Sequence, residues 1–357
     1  MASDISVVPA RLRRRLDSTL VVPALGLILV SIVLAWLGIN LAKDWDAFFR
    51  VLLIGLTNGS LYALVALGYT LVYGILELIN FAHGDVFMMG GMIAATFALS
   101  VFALGEDPGI GILVAAIFVA LGAAMLGCGL LNATIERIAY KPLRRAPRLV
   151  PLITAIGMSF ILQDVGLIWK GSNPVSLPQT LPNDPIFTIG TCPDCVTYRW
   201  DRLIVLLITV PTLIGLVWLV RYTRQGKAMR ATAQDKDAAA MMGINVDRTI
   251  SFTFLIAGVL AGAAGVIFAF YFTTIRYDTG FTLGLIAFTA AVLGGIGNLP
   301  GAVLGALLIG LVQAFNEGLS WHAPGSAWTT SIVFAILIMI LVFRPQGLLG
   351  ERTPEGG

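Results

Sequence analysis

Apolar runs of about the length of a membrane-spanning helix recur along the whole chain. A helix needs about 20 mainly apolar residues to cross a hydrocarbon core about 30 Å thick. Ten segments come near that length: Thr19–Ile39, Phe49–Tyr73, Val86–Leu104, Ile110–Ala133, Leu149–Trp169, Leu203–Val220, Ile250–Phe272, Phe281–Ile296, Ala302–Leu319 and Thr329–Phe343. An uncharged turn joins the short eighth segment to the ninth, and this pair forms either two spans or a re-entrant hairpin. The pattern predicts an all-α polytopic membrane protein with eight to ten transmembrane or re-entrant helices.

The composition excludes an ordinary soluble protein. Hydrophobic residues make up 57% of the chain and charged residues 12%, against roughly 25% charged residues in a soluble domain. So few charges cannot cover the surface of a soluble fold, and membrane lipid is the expected surrounding. The net charge is only +3, and no stripe of Lys and Arg alternates with aromatic residues. A nucleic-acid partner is therefore not expected.

The distribution of basic residues predicts the orientation, because Lys and Arg are retained on the cytoplasmic side of a membrane. With the N-terminus inside, seventeen of the 23 basic residues fall on one side. They lie in four segments, residues 11–15, 137–148, 221–248 and 344–352. The N- and C-termini are therefore predicted to be cytoplasmic, and residues 170–202 to form an external loop.

Three polar residues at the break between the second and third spans stand out in the apolar half of the chain: Asn80, His83 and Asp85. One interpretation is a satisfied turn, in which Asp85 caps the next helix and the other two hydrogen-bond locally. The other is the lining or gate of a transport path, because helix ends aimed at a substrate recur in transporters. Tyr62 and Gln163, within the second and fifth spans, are further candidates for lining that path.

Pairs of glycines four residues apart occur in several spans. The pairs are Gly55 and Gly59, Gly258 and Gly262, and Gly301 and Gly305. Each pair lies on one face of a helix and removes side chains so that two backbones can approach closely. The pairs predict close helix packing.

The external loop contains Cys192 and Cys195 in the sequence Cys-Pro-Asp-Cys. Two ligands are too few for a metal site, which needs three or four, so no metal is expected. The pair forms either a structural disulfide in an oxidising compartment or two free thiols.

The sequence offers no catalytic residues. It has only two histidines, and no Ser or Cys nucleophile motif stands near His83. It also lacks the G-x-x-x-x-G-K-[ST] phosphate loop, because Gly226-Lys227 is followed by Ala228, which has no hydroxyl for magnesium. We therefore expect a protein that is not an enzyme and carries no cofactor of its own.

The cytoplasmic loop 221–249 predicts a docking element. Its segment Lys227–Met242 is rich in helix-favouring residues and ends at Gly243, a natural C-terminal cap. An interfacial helix lying on lipid would carry Phe, Leu or Trp on its apolar face, and this segment has none. Its small residues favour docking into a groove on a cytosolic partner.

The same loop carries a resemblance to a known family. Asp237-Ala238-Ala239 followed by Gly243 resembles the EAA-x3-G coupling loop of bacterial ABC importer permeases, with Asp in place of Glu. Longer segments are similar to the LivH-type permeases of branched-chain amino acid importers. In collinear order they are residues 59–64, 68–74, 79–84, 136–142, 154–159, 230–247, 288–301 and 344–347. The residues implied in ATPase coupling are Arg230, Asp235, Asp237, Ala238, Ala239 and Gly243.

The resemblance implies one membrane subunit of a multi-component importer in the bacterial inner membrane. A periplasmic binding protein would deliver the substrate, a second homologous permease would complete the path, and two cytosolic ATP-binding subunits would hydrolyse ATP with magnesium. Branched-chain amino acids are the implied substrates, with urea, short amides or other neutral amino acids as alternatives and a passive small-solute channel as a remote one. The chain divides into a basic N-terminal segment (1–18), an extra N-terminal transmembrane helix (19–45), the permease domain (46–349) and a cytoplasmic tail (350–357).

Overall fold

The computed structural model describes residues 10–76, 80–105, 108–144, 146–147, 149–189, 196–344 and 346–350. The chain is mostly helical in these ranges. The helices are α1 (Ala10–Lys43), α2 (Trp45–Leu76), α3 (Ala82–Thr96), α4 (Ile110–Ile135), α5 (Leu149–Lys170), α6 (Trp200–Tyr222), α7 (Arg224–Gln234), α8 (Lys236–Met241), α9 (Val246–Phe272), α10 (Thr279–Gly294), α11 (Leu299–Gly318) and α12 (Ser326–Phe343). Within the described residues, nine helical segments are long and apolar enough to span a membrane, and α10 is a shorter apolar helix. The predicted polytopic helical protein is confirmed at this level.

Four short strands among the described residues depart from the all-α prediction. They are β1 (Val175–Ser176), β2 (Pro185–Ile189), β3 (Val196–Arg199) and β4 (Thr274–Ile275). β2 and β3 form an antiparallel pair within the predicted external loop, and β1 pairs with β4, which follows α9. The loop has too few apolar residues to form a helix that packs against the bundle. Pairing between strands satisfies the hydrogen bonds of its backbone instead.

Hydrogen bonds and ion pairs at the helix ends define two ends of the bundle. At one end, the segment after α4 is tied to the start of α9 by Lys141 and Asp247, whose Nζ and Oδ2 atoms lie 3.0 Å apart. We call this the basic end. At the other end, the β1–β4 pair joins the loop after α5 to the end of α9. The C-terminal part of α1 also lies there, since Asn40 Oδ1 accepts a hydrogen bond from the Trp321 amide at 3.1 Å. We call this the strand end.

The core of the bundle is built from α2, α3 and α9. Most residues of α2 and α9 are buried, whereas few of the described residues of α1, α5, α6 and α12 are buried. These helices are apolar on all sides, so no polar face shows which side points to lipid and which to the core. Their packing is set instead by small residues that let helices approach closely.

The glycine pairs sit at the helix crossings. A Cβ at Gly59 would lie 2.7 Å from the Cα atom of Leu307 in α11, and one at Gly258 would lie 2.3 Å from the Cys128 carbonyl oxygen in α4. A Cβ at Gly305 would lie 2.1 Å from the Ala290 carbonyl oxygen in α10. These distances leave no room for a side chain, and the predicted close helix packing is confirmed.

α10 and α11 form an antiparallel pair of helices that pack closely against each other. α10 begins beside β4 at the strand end, and the turn after it is hydrogen-bonded to the segment that follows α12, as when Asn298 Nδ2 donates to the Leu349 carbonyl oxygen at 2.8 Å. The turn therefore lies at the level where α12 ends. With 16 residues, α10 is about 24 Å long, short of a full hydrocarbon core. The pair consists of two antiparallel helices, of which α11 is long and apolar enough to span a membrane, whereas α10 is shorter than a span.

Candidate functional site

The polar residues at the α2–α3 break lie inside the bundle. Asn80 is 3% exposed, and His83 and Asp85 are fully buried. Asp85 lies in the first turn of α3, where the helix has no side-chain cap, so the prediction that Asp85 caps this helix is wrong. Its side chain instead points across to α5, where its Oδ2 atom accepts a hydrogen bond from Ser159. Gln163, one turn further along α5, donates from Nε2 to Ser159 Oγ at 3.2 Å.

His83 fills a space that a glycine creates. A Cβ at Gly68 in α2 would lie 2.1 Å from His83 Nε2. The imidazole also packs edge-on against the ring of Tyr69, with ring centroids 4.8 Å apart. The missing side chain at Gly68 is thus what allows a histidine at this position.

Asn80 is held by a residue from the segment after α4. Its Oδ1 atom accepts a hydrogen bond from Tyr140 Oη at 2.7 Å. Together with Tyr69, Tyr73 and Phe288 it lines a cavity of about 10 Å³, which is about the room that one water needs.

We call Asn80, His83, Asp85, Tyr140, Ser159 and Gln163 the polar layer. Several of its atoms have no hydrogen-bond partner among the described residues: Asn80 Nδ2, both imidazole nitrogens of His83 and Asp85 Oδ1. A buried polar atom without a partner costs free energy comparable to a lost hydrogen bond. The protein therefore satisfies only part of the hydrogen-bonding capacity of the polar layer. This differs from the interpretation of these residues as a turn whose polar groups are all hydrogen-bonded.

Tyr62 lies apart from the polar layer, in a cleft near the strand end. Its Oη atom donates to Gln313 Oε1 of α11 at 2.6 Å. The cleft has a volume of about 310 Å³ and its other lining residues are Phe268, Phe272, Arg276, Asp278, Thr279, Thr282 and Leu283. The structure thus separates Tyr62 from the four other residues predicted to line a path.

An ion pair stands at the rim of this cleft. The Arg276 guanidinium donates from two nitrogens to the two carboxylate oxygens of Asp278. Both side chains are partly exposed. Hydrogen bonding to Asp278 raises the pKa of Arg276 above its ordinary value, so the guanidinium stays charged.

The loop at the basic end forms two helices, so the prediction of one helix over Lys227–Met242 is wrong. α7 ends at Gln234, and Asp235 caps α8, with Oδ1 accepting from the Asp237 and Ala238 amides at 2.8 and 2.9 Å. Asp is a strong N-cap residue because its carboxylate accepts bonds from free amides. This local bonding ends one helix and starts the next.

The residues predicted for ATPase coupling divide between buried and exposed positions. The Arg230 guanidinium donates to the Val220 carbonyl oxygen and ties α7 to the end of α6. Ala239 is 4% exposed and faces the chain's own bundle, while Asp237 is exposed. After α8, Gly243 has a φ of +82°, as its predicted role as a C-terminal cap requires.

Two methionines beside these residues are highly exposed outside the apolar helices. Met241 is 82% exposed and Met242 is 83% exposed. They lie at the end of α8 in the loop rich in charged residues.

A buried carboxylate ties the basic end together. The Glu136 side chain is fully buried and paired with Arg144, which also pairs with Asp247. Glu136 Oε2 accepts a further bond from Ser251 Oγ at 2.6 Å. Burying a charge is costly unless it is paired and hydrogen-bonded, and here both conditions hold. These residues fix the position of the segment after α4 relative to α9.

Sequence reasoning missed several of these residues. Ser159 lies four residues before Gln163 and so shares its helix face, a signal that was available. Tyr140, Arg276 and Gln313 carry no local signal, because their partners are distant in the sequence or lie in an ordinary loop. Cys192 and Cys195 lie outside the described residues.

Comparison with known proteins assigns the chain to a family. A family described as the permease component of branched-chain amino acid transport systems matches residues 51–342. This chain belongs to that permease family. It is 38% identical to the high-affinity branched-chain amino acid transport system permease protein LivH of Escherichia coli strain K12, over 88% of this chain and 99% of the relative. It is also 38% identical to BraD, a permease protein of the same description from Pseudomonas aeruginosa, over 86% of this chain and 97% of the relative.

A more distant relative is the probable branched-chain amino acid transport permease protein LivH of Methanocaldococcus jannaschii, at 29% identity over 82% of this chain. No solved structure matches the chain. The family assignment confirms the interpretation as a multi-pass membrane permease, the non-catalytic component of an ABC transport system. The match begins at residue 51, so α1 lies outside it.

Proposed function

We propose that this chain is a permease subunit of an ATP-driven importer of branched-chain amino acids in the bacterial inner membrane. Its partners are a second homologous permease, two cytosolic ATP-binding subunits and a periplasmic binding protein. The observation that carries the proposal is the family match, which extends over residues 51–342.

In this proposal the basic end faces the cytoplasm. Lys and Arg are concentrated there, as the positive-inside rule requires, and the hairpin of α7 and α8 lies at the same end. α1 extends the same charge argument to the start of the chain. Its C-terminal part is bonded to Trp321 at the strand end, so its N-terminus points towards the basic end.

The surface that contacts an ATPase is the exposed side of α8 and the residue after it. Met241 and Met242 expose apolar area to water, which is unfavourable unless a partner covers it. Methionine is flexible and polarisable and suits a contact that must hold while the partner changes shape. Ala239 supports this surface from behind, because it packs against the chain's own bundle.

The polar layer serves as a gate on the path in this proposal. Its unpartnered atoms favour water or substrate at some stage of the cycle, because buried polar groups without partners are costly. Replacing Asn80, His83 and Asp85 singly by Ala should reduce uptake more than assembly with the partner subunits. Near-normal uptake by all three variants would contradict the gate.

The experiment that tests the function is reconstitution of the complete complex in vesicles. We expect the chain to co-purify with an ATPase, and leucine to accumulate only when ATP and loaded binding protein are both present. Leucine entry without ATP would identify a passive channel instead. Accumulation of urea or a short amide in preference to leucine would support an ATP-driven importer but contradict branched-chain amino acids as its substrates.

A further inference from the structure

The cleft at the strand end has the size and the chemistry of a small-molecule site. Its volume of about 310 Å³ falls at the lower end of the range for ligand pockets, about 300–1,000 Å³. It is bounded by α2, α9, α10 and α11 and opens at the strand end. In the orientation proposed above, it is reached from outside the cell.

We propose that this cleft binds a zwitterionic, apolar amino acid before it moves towards the polar layer. The inference deepens the proposed function and rests on it for the direction of transport. It adds a binding site within this one subunit, formed without residues of the second permease.

The rim supplies both charges that a zwitterion needs. The Arg276 guanidinium is positioned for a carboxylate, and the Asp278 carboxylate for an ammonium group. Because their ion pair is partly exposed, it is weak and the ligand can exchange partners with it. α10 starts at Thr279, which also lines the cleft, so the positive end of the helix dipole lies at the mouth and further favours a carboxylate.

The wall beyond the rim is apolar and fits a branched side chain. Phe268 and Phe272 lie side by side with ring centroids 4.5 Å apart, and Leu283 lies on the α10 side. Phe272 is 37% exposed. An aliphatic side chain placed here would cover this aromatic surface and gain the free energy of apolar burial.

The deep end of the cleft is polar and already bonded. Tyr62 is 2% exposed and donates to Gln313, whose Nε2 atom donates in turn to Glu317 at 3.3 Å. A ligand therefore meets charges at the rim, an apolar wall, and a polar pair, Tyr62 and Gln313, that is already hydrogen-bonded. This order matches a molecule with two charges at one end and an apolar side chain at the other.

The test measures protection of a cysteine placed in the cleft. Thr282 is exposed and lines the cleft, so Thr282→Cys should react with an impermeant methanethiosulfonate reagent. The complete complex is held in nanodiscs without binding protein, and modification is read on the peptide that contains position 282. Leucine at roughly ten times its Kd should slow the reaction about tenfold, because that fraction of sites is occupied.

Two leucine analogues separate the charges. 4-Methylpentanoate lacks the ammonium group and isopentylamine lacks the carboxylate, and neither should protect at the same concentration. Adding Arg276→Gln should abolish protection by leucine. Phe281→Cys is the matched control, because Phe281 is exposed on α10 but does not line the cleft. Its reaction rate should be the same with and without leucine.

The outcomes distinguish this site from other roles of the same residues. Equal protection by leucine and both analogues would mean non-specific apolar binding and overturn the proposal. No protection by leucine, together with weaker capture of loaded binding protein by Arg276→Gln, would make the rim a contact for that protein and also overturn it. Protection in a complex that shows no ATP-dependent uptake would keep the site and reject the proposed importer function.

Discussion

Gly68 and His83 occupy one shared space at the centre of the bundle. The side chain that α2 lacks at position 68 is replaced by an imidazole from α3. In a close-packed interior, even one added methyl group is felt. The identity of each residue therefore depends on the other, which single-residue reasoning does not reveal.

Gly68→Ala should destabilise the folded protein by about 1–3 kcal/mol, because the new methyl group overlaps His83. Gly74→Ala in the same helix is the control, since its Cβ would make an ordinary contact of 3.7 Å with Gly297. Thermal unfolding of the purified protein in detergent measures the difference, with a lower Tm expected only for Gly68→Ala.

A second substitution checks the cause. His83→Ala should restore much of the lost stability when it is combined with Gly68→Ala, because it removes the group that the methyl overlaps. Additive losses in the double variant would show that the two residues act independently.

Helix packing is set by backbone contacts at the glycines. The α4–α9 crossing brings Gly258 against the Cys128 carbonyl oxygen, and the α2–α11 crossing brings Gly59 against Leu307. Backbone atoms cannot move aside as the end of a flexible side chain can. The helices therefore cannot tolerate side chains at these crossings without separating.

Gly258→Ala should lower the Tm and the yield of folded protein, because its methyl group would lie 2.3 Å from a backbone oxygen. Gly157→Ala in α5 is the matched control, because nothing lies within 4 Å of its Cβ position. That control should be neutral or stabilising by about 0.4–1 kcal/mol, since alanine restricts the unfolded chain. Equal losses for the two variants would contradict a role of the α4–α9 contact.

The two exposed methionines after α8 give a test of the coupling surface. The double variant Met241→Glu, Met242→Glu should leave membrane insertion unchanged and reduce co-purification of the ATPase, because charges would replace the apolar contact. Gln225→Glu adds a charge at an exposed position of α7 and should have little effect. Full ATPase association of the double variant would exclude this surface as the dock.

The elements were predictable to different degrees for physical reasons. Apolar runs and glycine pairs are local signals, and both gave the right helices and crossings. Asp235 was also a local signal, an N-cap residue before Asp237, but a helix-favouring composition around it concealed the break. The partnership of Asp85 with Ser159 joins residues far apart in the sequence and appears only once α3 and α5 are packed together.

The orientation of the whole molecule can be tested at two exposed positions. Thr188→Cys lies in β2 at the strand end and Asp237→Cys lies in α8 at the basic end. An impermeant thiol reagent should label position 188 in intact cells and position 237 only after the inner membrane is opened. The reverse pattern would invert the proposed orientation. Cys192 and Cys195, after reduction, should label with position 188.

The α2–α11 crossing also constrains the order in which the protein can be assembled. A Cβ at Gly310 of α11 would lie 2.4 Å from the Cα atom of Gly59. The two glycines are separated by about 250 residues, which a ribosome adds in about 12–50 s at ~5–20 residues per second. During that interval α2, most of whose residues end up buried, has been synthesised while its neighbour α11 has not. We expect the bare glycine face of α2 to be held by the insertion machinery or by early-made helices, and the final closure of the bundle to await release of the C-terminal third of the chain.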